Sequence, residues 1–118
     1  MADVFGYTPQ KATLILSPGA DFIHTITPTS GTFPAGMTAA IKLYARGSDT
    51  VLATWAGTVT SGQITWTIQS NTATTGVDAM YAAGAAKFRL YITFDTDPGG
   101  TTLDQDFLWY YGTVQWRK

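Results

Sequence analysis

The sequence predicts an all-β fold: an antiparallel two-sheet β-sandwich, Ig-like or jelly-roll-like, of about seven strands with at most one or two short helices. Three observations carry this. Apolar and polar residues alternate with a period of two in segment after segment, as they do where a strand buries one face. Turn-forming Pro, Gly, Asn, Asp and Ser separate the segments. All eight acidic residues are aspartate, and 21 of the 118 residues are threonine, a bias toward strands and turns and away from helix. Strands do not alternate with full-length helices, which argues against a parallel sheet. A small closed barrel is the alternative arrangement.

The length fits one domain with its own core, divided into an arm at residues 1–10 and a sandwich domain at 11–118. The arm has no periodicity, but Phe5 and Tyr7 are large for a free tail, so it is expected to reach onto a neighbour. Residues 12–17 (ATLILS) read as a first strand and Pro18-Gly19-Ala20 as a turn. Residues 21–28 read as a second strand, with Phe22, His24 and Ile26 on one face. A Pro/Gly loop over 29–36 carries Phe33 as an anchor. In residues 38–46, Ala39, Ile41, Leu43 and Ala45 alternate with Lys42, Tyr44 and Arg46.

Residues 51–69 (VLATWAGTVTSGQITWTIQ) read as a β-hairpin around Ser61-Gly62, with a tryptophan on each arm. Val51, Ala53, Trp55, Gly57 and Val59 share a face of the first arm, and Ile64, Trp66 and Ile68 a face of the second. Residues 71–84 break the alternation. Val77, Met80 and Tyr81 stand at helical spacing and predict one or two turns closing an end of the core. Residues 86–96 and 104–118 form the last pair of strands, joined by the Asp97-Pro98-Gly99-Gly100 tip. The predicted core includes Ile41, Leu43, Trp55, Ile64, Trp66, Ile68, Leu90 and Ile92.

Several function classes are disfavoured. No cysteine is present, so disulfide and thiolate chemistry are absent. A net charge of −1, with basic residues scattered along the chain, gives no nucleic-acid or anionic-membrane footprint. No apolar run approaches a bilayer span, and the first residues lack a secretion signal, so synthesis in a cytoplasm is expected. His24, the one histidine, has no Cys or Glu nearby and reads as structural. Asp95, Asp97, Asp104 and Asp106 suggest a carboxylate pair or a weak Ca²⁺ loop, but aspartates at a loop base commonly cap turns. No nucleophile elbow, P-loop or dinucleotide fingerprint occurs. The expectation is a non-enzymatic protein without catalytic residues, metal or cofactor.

Residues 107–116 (FLWYYGTVQW) leave the register of the last strand open. An unbroken strand points Leu108, Tyr110, Gly112, Val114 and Trp116 inward and Phe107, Trp109, Tyr111, Thr113, Gln115 and Arg117 outward. A β-bulge at Gly112 instead makes Phe107 and Trp109 core residues. The unbroken register is adopted because its converse buries Thr113, Gln115 and Arg117. It predicts an interaction surface of Phe107, Trp109, Tyr111 and Tyr91, with Phe5 and Tyr7 from the arm.

The segment ATLILSPGADFIHTITPTSGTFPAG (12–36), with LATW (52–55), FRLYITF (88–94) and WYYGTV (109–114), resembles the LtfC-like family of small β-sandwich proteins of tailed phages. The likeness spans residues 12–116, and its motifs are structural. It implies a virion protein of a phage infecting actinobacteria, assembled in the host cytoplasm. The favoured role is a capsid decoration or minor capsid protein that binds the major capsid protein or another virion protein and forms a homo-oligomer. A tail or baseplate module is the next reading, and a carbohydrate-binding module the third.

Overall fold

The computed structural model describes residues 9–28, 31–33, 36–94 and 105–118, with Phe94, Gln105 and Asp106 described by backbone alone. In chain order the elements are β1 (Gln10–Leu16), β2 (Phe22–Ile26), β3 (Thr38–Ala45), β4 (Val51–Ala56), β5 (Thr58–Val59), β6 (Ile64–Ile68), α1 (Val77–Ala83), β7 (Ala85–Phe94) and β8 (Gln105–Trp116). A five-stranded sheet in the order β1-β8-β7-β3-β4 packs on a three-stranded sheet in the order β2-β6-β5. The predicted sandwich is therefore the observed fold.

The described strand pairs are antiparallel except one. β1 runs parallel to β8, Gln10 opposite Tyr110 through Leu16 opposite Trp116. Strands from opposite ends of a chain share no tight turn, so nothing local fixes their direction. Their approach is close at Gly112, where a Cβ would overlap the Ala12 carbonyl oxygen.

The core lies between the sheets. Ile41, Leu43, Trp55, Ile64, Trp66 and Leu90 are buried, and Ile68 and Ile92 pack half-buried against them. The two-tryptophan segment is built differently from the expected hairpin. β4 pairs with β3 in the larger sheet, whereas β5 pairs with β6 in the smaller one. The chain changes sheets at Gly57, whose N–H donates to Ala39 O at 2.8 Å. A Cβ on Gly57 would sit 2.8 Å from the Trp66 ring and 2.9 Å from Ile64 Cγ2, so glycine is what allows the crossing. Alternation reports which residues share a face of one strand, not which sheet the strand joins. Val51 also leaves its predicted face, because the β3–β4 register shifts after Leu43 and sets Val51 opposite Tyr44.

The two tryptophans bind the sheets together. Trp66 Nε1–H donates to Trp55 O at 2.9 Å, and Trp55 Nε1–H to Thr75 O at 2.6 Å. Both buried indoles thus keep a partner for their one donor. At the far side of the sandwich the β1–β2 turn is another crossing between the sheets. It is tied down by Gly19 N–H to Asp78 Oδ1 at 2.6 Å and by Ser70 N–H to Asp21 Oδ1 at 2.8 Å. As predicted, α1 covers one end: Val77 and Met80 are buried, and Tyr81 lies edge-on to Trp116 with ring centroids 5.0 Å apart.

Candidate interaction surface

The last strand decides which aromatics reach the surface. The β7–β8 register shifts between Leu90 and Tyr91. Leu90 faces Tyr110, but Tyr91 faces Leu108, so Trp109 is the extra residue of a β-bulge. The unbroken register therefore holds only from Tyr110 onward. Before the bulge the faces exchange: Phe107 falls opposite Ile92, and Leu108 takes the outer position beside Tyr91. Trp109 packs against the core beside Tyr110, with ring centroids 5.0 Å apart. Phe107 and Trp109 thus leave the predicted outward set. The bulge lies three residues before Gly112, where the alternative register placed it, and its effect is to turn two large rings from the outer face while a half-buried leucine takes the outer position. Tyr91 and Tyr111 stay on the outer face, where Tyr111 is exposed.

Phe5 and Tyr7 lie outside the described residues, as do Asp95, Asp97, Asp104 and the side chain of Asp106. Among the described residues, no group of three or more metal-ligating side chains could hold an ion. Among them, no helix is long and apolar enough to cross a membrane. His24 sits on the inner face of β2, at its exposed margin, stacked on Phe22 at 6.0 Å.

The fold gathers side chains that the sequence scatters. One rung across the outer face of the five-stranded sheet reads Lys11, Tyr111, Arg89, Lys42 and Thr54. Its neighbour reads Thr13, Thr113, Lys87, Tyr44 and Val51. Four of the seven basic residues, Lys11, Lys42, Lys87 and Arg89, therefore share one face. Lys42 and Arg89 stand directly opposite each other, a like-charged pairing that destabilises a sheet. The rings relieve it in part. Lys42 Nζ lies 5.1 Å from the Tyr91 centroid, and the Arg89 guanidinium lies 4.9 Å from that of Tyr44. Lys87 Nζ approaches the same Tyr44 ring at 5.8 Å.

One carboxylate answers this charge among the described residues. Asp49 lies 3.4 Å from Lys87 Nζ and 3.6 Å from Arg89. Its side chain is 82% exposed, so solvent screens both pairs and they add little stability. Tyr44 is buried beneath the cations. Burial first, then the neighbouring Tyr91, push its hydroxyl above the ordinary value, while Arg89 pulls it down. The Arg89 guanidinium is held above its own ordinary value, first by hydrogen bonding with Tyr91.

Residues 8–117 match the family described as LtfC-like, beta-sandwich domain. The chain belongs to that family. The match takes in both sheets, α1 and the whole basic face of this LtfC-like sandwich. No curated protein and no solved structure matches the chain. The basic face was missed in the sequence because its members stand at positions 11, 42, 87 and 89. Strand polarity at 87 and 89 was legible, but the neighbours that complete each rung come from β1, β3 and β8.

Proposed function

We propose that this LtfC-like sandwich is a non-enzymatic structural protein of a tailed-phage virion. Its role is that of a capsid decoration or minor capsid subunit, assembled in the host cytoplasm. It attaches through the outer face of its five-stranded sheet to an acidic surface of the major capsid protein or of another virion protein. Family membership supports a structural role. The observation that carries the attachment surface is the rung of Lys11, Arg89 and Lys42, interleaved with Tyr111 and backed by Tyr44 and Tyr91. Like charges kept opposite each other on a sheet cost stability that an anionic partner would return. Exposed Tyr and Arg are also the residue types that anchor interfaces. A homo-oligomer on the particle surface would repeat this contact many times and turn a modest affinity into firm attachment.

A tail or baseplate module would use the same face against a different partner. The carbohydrate-binding reading is weaker, because cations already lie over the Tyr44 and Tyr91 rings that sugars would need for stacking. The test is co-sedimentation of the purified protein with phage heads lacking it. The double change Lys42→Glu with Arg89→Glu should abolish capture while leaving the melting point within a few degrees. Capture should weaken with rising salt, since surface charges are screened. Equal capture of both proteins would refute this face as the attachment surface.

A further inference from the structure

Asp49 reaches the basic face from the turn between β3 and β4. The turn is fixed locally. Ser48 N–H donates to Ala45 O at 3.2 Å, Thr50 N–H donates to Ser48 Oγ at 3.1 Å, and Gly47 takes a positive φ of 71°. It carries the Asp49 carboxylate to β7, where one oxygen, Oδ1, lies 3.4 Å from Lys87 Nζ and 3.6 Å from Arg89 Nη2. Charge-assisted bonds close to about 2.7–2.9 Å, so Asp49 lies near both cations and grips neither. It meets the guanidinium at a single nitrogen, whereas a carboxylate that engages an arginine fully takes two parallel N–H bonds.

The cations are held better than their occupant. Lys87 and Arg89 stand two apart on β7 and so share its outer face. Their side chains are 36% and 38% exposed, against 82% for Asp49. The buried Tyr44 ring lies beneath them, 5.8 Å from Lys87 Nζ and 4.9 Å from the Arg89 guanidinium. Two positive groups are thus set around one seat for a carboxylate, and the carboxylate in it is loose.

We propose that Lys87 and Arg89 are the seat for one acidic side chain, Asp or Glu, of the protein partner, and that Asp49 is the internal occupant which this side chain displaces. The proposal rests on the attachment reading of the basic face and adds its regulation. Before docking, Asp49 keeps two neighbouring like charges from standing uncompensated. An exposed ion pair contributes little stability, so displacing it costs little and frees the Asp49 carboxylate into water. Its tether still makes it a competitor at every encounter. It turns away isolated anions and yields to a partner that also engages Lys11, Lys42 and Tyr111, which is specificity gained by opposing the weaker ligand.

The test is fluorescence anisotropy of a labelled poly-glutamate peptide on the purified full chain at low salt, with melting points confirming that every variant is folded. Asp49→Asn removes the occupant's charge and leaves the turn's own hydrogen bonds in place. It should bind the peptide roughly two- to five-fold more tightly than the parent chain, and the gain should shrink as salt rises. Thr67→Lys makes the same change of one unit in net charge on the opposite sheet and should alter binding far less. Lys42→Glu with Arg89→Glu reports on the face itself and should lose the peptide. If Asp49→Asn binds no more tightly than the parent or than Thr67→Lys, while the double variant loses the peptide, the displacement is overturned and the attachment face stands. If the parent does not bind the peptide, or the double variant binds it equally well, the attachment face fails and the proposal falls with it.

Discussion

The two outer faces of the sandwich differ sharply. The larger sheet presents Lys11, Lys42, Lys87 and Arg89 among Tyr44, Tyr91 and Tyr111. The smaller sheet presents Ile23, Thr25, Thr58, Thr65 and Thr67, with no charge among these described residues. Both cover the same core, and only the larger one carries the register shifts, after Leu43 and at Trp109. The threonine face is what a strand surface needs to be wet and well formed. The basic face is more than that, since it sets like charges opposite each other and buries a tyrosine hydroxyl beneath them. A feature that costs stability on one face and is absent from the other is why we propose the first face as the one with a partner.

The largest effect is expected at Trp66, which is fully buried under the threonine face. Trp66→Ala should lower stability by about 3–5 kcal/mol in chemical denaturation, because the smaller sheet has three strands and rests on this ring. Gly112→Ala should cost about 1–3 kcal/mol by forcing β1 away from β8, and it should raise hydrogen exchange in β1 while sparing β5 and β6.

A smaller effect separates the faces by pH. The raised Tyr44 hydroxyl keeps its proton in the folded state. Below the ordinary tyrosine value, about 10, both states are protonated and stability is unaffected. As pH rises toward the raised value, the unfolded chain ionises first and stability is lost. Melting points between about pH 9 and 11 should therefore fall less for Tyr44→Phe than for the parent chain. The smallest effect is expected on the other face. Thr25→Lys with Thr67→Lys should shift stability by no more than about 0.5 kcal/mol and leave partner capture unchanged. A loss of capture from this pair would mean that the threonine face carries the contact.

How much of this could be read from the sequence depends on whether one strand or several decide the feature. Ile41, Leu43, Trp55, Ile64, Trp66 and Leu90 were legible as core because alternation within a strand fixes the buried face. Val77 and Met80 were legible because helical spacing replaces alternation there. The split of the two-tryptophan hairpin at Gly57 was not, since a strand reads the same whichever sheet it joins. The bulge at Trp109 was hidden for a different reason: Phe107 to Tyr111 are apolar on both faces, so no polar residue marks the change of register. The basic face was the least legible, because it exists only once β1, β3, β7 and β8 lie side by side.

We propose a virion structural protein held on the phage head by its basic face. The most direct test is immunogold labelling of purified particles from the phage that encodes the chain, using antibody raised against the folded domain. Gold is expected over the head shell, and its loss is expected from particles carrying Lys42→Glu with Arg89→Glu. Particles without label on any part, with the protein recovered free in the lysate, would contradict it.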